Sequence, residues 1–166
     1  MEETSAATAA AAGSRVTDAP QETRAIGRAL GAAAQPGTLL ALVGPLGAGK
    51  TELAKGVADG LGVSSVVNSP TFVLMNEHAG RLRLFHIDAY RLDDPEEAVA
   101  AGLFDDRQAA GVAVVEWADR LGKRLPSDRL ELTIVPAPDG SDRREIGWRA
   151  TGALHLRLAG EALAAP

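Results

Sequence analysis

Gly44-Pro45-Leu46-Gly47-Ala48-Gly49-Lys50-Thr51 is a complete G-x-x-x-x-G-K-[ST] run, and its flanks decide the fold. Before it stands the apolar stretch Leu39-Leu40-Ala41-Leu42-Val43, which suits a strand covered on both faces. After it, Leu53, Val57 and Leu61 recur four residues apart on one helix face, and Gly60-Leu61-Gly62 stops the pattern. Strand, glycine loop and helix in this order make a phosphate-binding loop. The fixed glycines let backbone N–H groups turn inward, and a helix beginning near Lys50 adds its positive dipole end. Gly44, Leu46, Gly47, Ala48 and Gly49 are then expected to cradle the phosphates of ATP or GTP. Lys50 neutralises the outer phosphates, and the Thr51 hydroxyl is placed for the accompanying Mg²⁺. A chance glycine-rich turn is the alternative, and the flanking elements argue against it.

Upstream, Asp18-Ala19-Pro20-Gln21 carries an N-cap residue, an early proline and a Gln three residues after the Asp, in the manner of a capping box. A helix is expected from about Pro20 to Ala34, burying Ile26 and Leu30 and ended by Pro36-Gly37. Residues 1–14, alanine-rich with small polar residues, read as a disordered tail, which leaves 15–166 as a single domain. Downstream, Ser65-Val66-Val67 leads to Ser69-Pro70-Thr71-Phe72-Val73-Leu74, a turn at His78-Ala79-Gly80, and a strand from Arg81 to Ile87. These segments are expected to form a hairpin. A short helix from Glu96 to about Ala101 is stopped by Gly102, and Gly111 to Glu116 reads as another buried strand. Arg129–Val135 and Arg144–Arg149 form a second hairpin around Ala137-Pro138-Asp139-Gly140, while 153–164 fits strand or helix. The expected fold is α/β, a three-layer sandwich of the P-loop NTPase type with a mixed, mainly parallel sheet and β-hairpin additions.

Composition sets limits around that loop. The 166 residues suffice for one ordinary core, and no cysteine is present for disulfides, thiolate metal sites or a thiol nucleophile. No apolar run reaches membrane-spanning length, and Met1-Glu2-Glu3 has the wrong charge for a secretory signal, so the expected compartment is the cytoplasm. A formal net charge of −5 disfavours a broad basic face for nucleic acid and points any link to RNA through a partner.

A phosphate loop needs an acid from a neighbouring strand to hold or orient Mg²⁺. Glu116, at the end of Ala113-Val114-Val115, ranks first for the metal, against a solvated strand end. Asp88, between His86 and Tyr90, suits a water-mediated metal contact or alignment of the attacking water, against a turn aspartate capping the next segment. His86 alone fits an ordinary half-buried histidine better than a catalyst. Trp117 suits base stacking or partner anchoring as well as a core position. Ser69 and Thr71 beside Pro70 form a rigid polar turn of the kind that senses a terminal phosphate.

Together, Thr23-x-x-x-Gly27, the loop, Ser69-Pro70-Thr71-Phe72-x-Leu74, His86-x-Asp88-x-Tyr90-Arg91-Leu92 and Val115-Glu116-Trp117 resemble, in order and spacing, the bacterial TsaE family, formerly YjeE. The motifs cover roughly residues 16–135, and those behind the loop are highly specific. The resemblance implies a Mg²⁺-dependent ATPase supporting synthesis of threonylcarbamoyladenosine, the modified adenosine beside the anticodon of tRNAs reading codons that begin with A. It implies action on a TsaB–TsaD heterodimer, with tRNA reached only through that complex, TsaD transferring the threonylcarbamoyl group and TsaC making the adenylate donor. Carried over, Lys50 holds phosphates, Thr51 and Glu116 bind the metal, Asp88 assists hydrolysis, Ser69 to Phe72 act as a switch-like segment with Thr71 at the nucleotide, and Trp117 and His86 shape the site. Pro45 stands where the family usually has Asp or Glu, and Glu52 where a second Thr is frequent.

Three rivals share the loop. A small-molecule kinase needs an arginine-rich lid and an acceptor pocket, neither of which can be assigned. A GTPase needs Asn-Lys-x-Asp, which is absent, so Asp119-Arg120-Leu121-Gly122 is an accidental D-x-x-G match. A nucleotide-binding scaffold without hydrolysis is the third. No arginine finger is evident beyond Arg91, so an ATPase weak alone and dependent on partners is expected.

Overall fold

A computed structural model describes residues 10–68 and 74–164. Strand β2 (Thr38–Val43) lies at the middle of the sheet, as its unbroken apolar run requires. It pairs in parallel with β5 (Val112–Glu116) on one side and β6 (Arg129–Pro136) on the other. Beyond β5 come parallel β4 (Leu84–Asp88) and then antiparallel β3 (Met75–His78). Beyond β6 come antiparallel β7 (Arg144–Thr151) and β1 (Ala10–Thr17), giving the order β1-β7-β6-β2-β5-β4-β3. The sheet is therefore mixed, parallel through its middle and antiparallel at both edges.

Helices α1 (Pro20–Ala33), α2 (Lys50–Gly60) and α5 (Ala153–Ala162) share one face, packed on Leu40, Leu42, Val112, Val114, Leu130 and Leu132. The other face, centred on Leu39, Ala41, Phe85, Ile87, Ala113 and Val115, is covered by Leu92, α3 (Glu96–Ala100) and a 3₁₀ helix (Ala118–Arg124), with α4 (Asp106–Ala109) beside β5. This is the expected three-layer arrangement. Among the described residues no helix is long and apolar enough to cross a membrane.

Helices α1 and α2 meet backbone to backbone. A Cβ on Gly27 would lie 2.2 Å from the Leu53 carbonyl oxygen, one on Gly31 2.1 Å from that of Val57, and one on Gly56 2.1 Å from that of Arg24. Gly27-x-x-x-Gly31 and Gly56-x-x-x-Gly60 thus repeat at the four-residue spacing that puts small residues on one helix face. Because α2 begins at Lys50, this contact fixes where the phosphate loop ends. The C-terminus of α1 is held by Arg81, whose guanidinium donates to the carbonyls of Gly31 (2.9 Å), Ala32 (3.3 Å) and Ala34 (3.0 Å). Pairing of β2 with β6 begins at Leu40, and the Leu39 N–H instead donates to His155 Nε2 of α5 at 2.9 Å.

Three expectations change, and one that was open is decided. Residues 10–14, assigned to the tail, belong to β1. Their side chains are exposed, so the strand needs no large apolar residue; backbone pairing to β7 holds it, with Gly13 against the Trp148 ring. Helix α1 is capped one residue later than read. Glu22, rather than Gln21, accepts from the N–H of Ala19 at 3.0 Å and from that of Asp18. The first hairpin is also displaced: its strands are Met75–His78 and Leu84–Asp88, and the Ser69 to Val73 part of the expected strand lies outside the described residues. The ambiguous 153–164 stretch is helical over α5.

Candidate nucleotide site

The C-terminal ends of three adjacent parallel strands build the site. β2 runs into the glycine loop, β5 ends at Glu116, and β4 ends at Asp88 directly opposite Glu116 in the ladder. Open α/β sheets place their ligands beyond this strand end. Gly47 (φ +77°) and Gly49 (φ +112°) take left-handed backbone conformations that turn the loop inward, and Gly49 stands at the N-cap of α2. The cleft, about 800 Å³ including space open to solvent, is bounded by the loop, Asp88, Tyr90, Glu116 and Trp117.

Lys50 is only 5% exposed. Its Nζ donates to the carbonyls of Gly44 (2.5 Å) and Pro45 (2.8 Å) and sits 3.9 Å above the Trp117 ring centroid. Burial lowers its proton affinity, and Glu116, Asp119 and Asp88 act in the opposite sense. Thr51 Oγ1 donates to Glu116 Oε1 at 2.9 Å. The other carboxylate oxygen, Oε2, lies 2.5 Å from His86 Nε2. Glu116 is thus gripped from both sides and buried, which rules out the solvated strand end. His86 is fully buried rather than half-buried, and its partner is the site's acid.

Asp88 accepts the Tyr90 N–H on Oδ1 at 2.9 Å, so it makes the contact of a turn aspartate, but from within the cleft. Burial pushes its carboxyl above the ordinary range, the Tyr90 N–H opposes, and Glu116 nearby adds to the rise. Trp117 adopts φ +57°, an unusual backbone for so large a side chain, and this turns its ring over Lys50. Tyr90 packs on it with centroids 4.9 Å apart, and the Arg120 guanidinium lies 5.4 Å from the Tyr90 ring.

The structure brings Gly44, Leu46, Gly47, Ala48, Gly49, Lys50, Thr51, Asp88, Glu116 and Trp117 to one end of the sheet; Thr71 and the Ser69–Phe72 segment lie outside the described residues. Two residues escaped sequence reasoning. Arg120 joins the aromatic stack through the 3₁₀ turn, and Arg144, on β7, donates from Nε to the Ala48 carbonyl at 2.9 Å. Neither carries a local pattern, since Arg144 reaches the loop and Arg120 the aromatic pair only through tertiary structure.

A parallel-centred sheet with a glycine loop between its middle strand and a helix, and a buried acid on the neighbouring strand, defines a protein of the phosphate-loop nucleotide-binding class. The family model described as "Threonylcarbamoyl adenosine biosynthesis protein TsaE" matches residues 17–146, and the chain belongs to the TsaE family. It is 46% identical over 134 residues to a Bacillus subtilis protein named tRNA threonylcarbamoyladenosine biosynthesis protein TsaE, covering 80% of this chain and 82% of that one. A Treponema pallidum protein of the same name is 37% identical over 131 residues, 79% of this chain and 96% of its own. The crystal structure of Bacillus YdiB superposes with a TM-score of 0.76 at 36% identity, covering 94% of this chain and 97% of that one.

Proposed function

We propose that this chain is a Mg²⁺-dependent ATPase required for threonylcarbamoyladenosine formation on tRNA, acting in the cytoplasm on a TsaB–TsaD complex. The observation that carries the nucleotide half is the convergence of Lys50, Thr51, Asp88 and Glu116 on one glycine-loop cleft. The pathway half rests on the names borne by relatives that match most of the chain.

The site suits Mg²⁺, because its donors are hydroxyl and carboxylate oxygens. Among the described residues no three His, Asp or Glu side chains cluster as a protein-only metal cage, which fits an ion held by few protein ligands together with phosphates. Thr51 and Glu116 would hold it, with Asp88 reaching it through water or aligning the attacking water. When bound, such an ion supplies charge neutralisation across the terminal phosphates. Lys50 exchanges its loop carbonyls for phosphate oxygens, the inward N–H groups of 47–51 orient them, and Trp117 with Tyr90 walls one side of the cleft. ATP rather than GTP is the nucleotide, given the missing guanine-reading motif. Turnover is slow in isolation and resets the partner between cycles.

The test is the threonylcarbamoyladenosine content of total tRNA after depletion of the protein, with rescue by wild type or Lys50→Ala. Loss of the modification, restored by wild type alone, is the expected result. An unchanged level overturns the pathway assignment, and a small-molecule kinase becomes the reading to pursue.

A further inference from the structure

The chain has three histidines, and all are buried. His155 accepts from Leu39 on Nε2, so its neutral ring carries the proton on Nδ1. Each of the three rings has one buried nitrogen with no hydrogen-bond partner among the described residues: Nε2 of His78, Nδ1 of His86 and Nδ1 of His155, and only those of His78 and His86 belong to neighbouring side chains. Buried polar atoms are ordinarily hydrogen-bonded, so two orphans on neighbouring side chains call for an account.

Side by side is where the ladder puts them. His78 pairs with Leu84 and His86 with Asn76 across the β3–β4 hairpin, which places both imidazoles on the α2 side of the sheet as diagonal neighbours. Diagonal positions lie within reach of aromatic side chains. Burial is the main cause of His78's lowered proton affinity, and His86 is near enough to add to it. The outward nitrogens are already committed. His78 Nδ1 lies 2.7 Å from Ser65 Oγ, on the exposed connection after α2, and His86 Nε2 lies 2.5 Å from Glu116 Oε2. A carboxylate only accepts, so His86 meets Glu116 with the proton on Nε2, which leaves Nδ1, the nitrogen across the ring, for a further partner.

We propose that Ser65, His78, His86 and Glu116 form one continuous hydrogen-bonded line, closed between His78 Nε2 and His86 Nδ1, which makes His78 a positioning residue for the acid of the nucleotide site. Closure through one buried water satisfies both orphans at once. The line runs from Thr51, through the carboxylate it bonds, along one sheet face to the residues that precede segment 69–73. Groups that orient metal-binding carboxylates are commonly as consequential as the ligands, and here the support extends two imidazoles deep. The functional part rests on the reading that Glu116 serves a nucleotide site, whereas the hydrogen-bonded line does not.

The experiment is long-range ¹H–¹⁵N correlation of the imidazole rings in the full, nucleotide-free chain, with His155 as an internal reference for the proton-on-Nδ1 form. His86 Nδ1 is expected at a hydrogen-bonded acceptor shift and moves to an unbonded, pyridine-like value in His78→Phe. His78→Gln, which keeps an amide donor, restores part of the shift. Ser65→Ala changes an exposed side chain, so it tests the line even where His78→Phe fails to fold; it moves the His78 ring and, more weakly, that of His86. Identical His86 shifts in wild type and in all folded variants overturn the proposal. In ATP turnover, His78→Phe should lower kcat by up to about tenfold with KM for ATP unchanged. An unchanged kcat in a variant whose spectrum shows the broken line overturns the positioning role. Absence of turnover in the wild type would refute the ATPase reading and leave the spectral result standing.

Discussion

Gly27→Ala adds one methyl group where α1 touches α2, and its effect follows from the geometry. The new Cβ would stand 2.2 Å from the Leu53 carbonyl oxygen and 2.9 Å from the Val57 nitrogen, both backbone atoms that no rotamer change can move. Restoring an ordinary 3.4 Å contact requires the helices to separate by about 1.2 Å, enough to forfeit a quarter to a half of the dispersion energy across the gap. Overpacking of this kind costs roughly 1–3 kcal/mol, and lost contact among Ile26, Leu30, Leu53 and Val57 adds about 1–2 more. Alanine's better helix propensity returns about 1 kcal/mol, leaving a net loss of about 1–4 kcal/mol. For a chain of this length that lowers Tm by roughly 2–16 °C. Urea denaturation of the full chain measures the change directly. Gly160→Ala in α5 is the control, because nothing lies within 4 Å of its added Cβ, and it should be stabilised by up to about 1 kcal/mol. A Gly27→Ala protein as stable as wild type would refute the reasoning, since the backbones would then have to part at no cost. The variant should also bind ATP more weakly, because the helix that moves carries Lys50 and Thr51 on its first turn.

Three further outcomes are expected. Arg81→Ala leaves three carbonyls at the end of α1 without their cation and destabilises by about 1–2 kcal/mol in urea melts; Arg81→Lys recovers only part, since an ammonium lacks the planar fork. Burial lowers the proton affinity of His155, so the unfolded chain takes up a proton near pH 6.5 that the folded chain resists. Its stabilising contribution is therefore complete above about pH 6.5 and declines as pH falls towards the lowered folded value. Urea midpoints between pH 8 and 5 should show this fall, flattened in His155→Gln, and equal slopes for the two proteins would dismiss it. With Trp148→Phe leaving Trp117 as the sole tryptophan, ATP with Mg²⁺ should change the emission, and Lys50→Ala should abolish the response; unaltered emission on saturation would exclude Trp117 from the cleft wall.

Much of this architecture is written in local patterns. β2, α2, β5 and the C-terminal hairpin follow from apolar runs, four-residue spacing and a turn-rich interruption, and the loop follows from its glycines. β1 escaped because its residues are small and exposed, so its backbone pairing leaves no side-chain trace. The 3₁₀ turn and the left-handed Trp117 escaped because each is imposed by packing against its own propensity. Glu116 was legible as the acid at the end of a buried strand. That His86 grips it was not, because a single histidine in an alternating strand carries no mark of its partner across the ladder.

The strand order has a consequence for how the chain is made. β2 leaves the ribosome early, yet its neighbours β5 and β6 begin at Val112 and Arg129, so the most apolar strand of the sheet is synthesised long before either edge is paired. The α1 and α2 hairpin around it is local and can dock at once, but until residues 112–136 emerge, Leu39 to Val43 present two open edges to solvent. Stalling translation between residues 60 and 110 should therefore yield a nascent chain that recruits chaperones and binds no ATP, and release of the last third should complete the sheet and the cleft together.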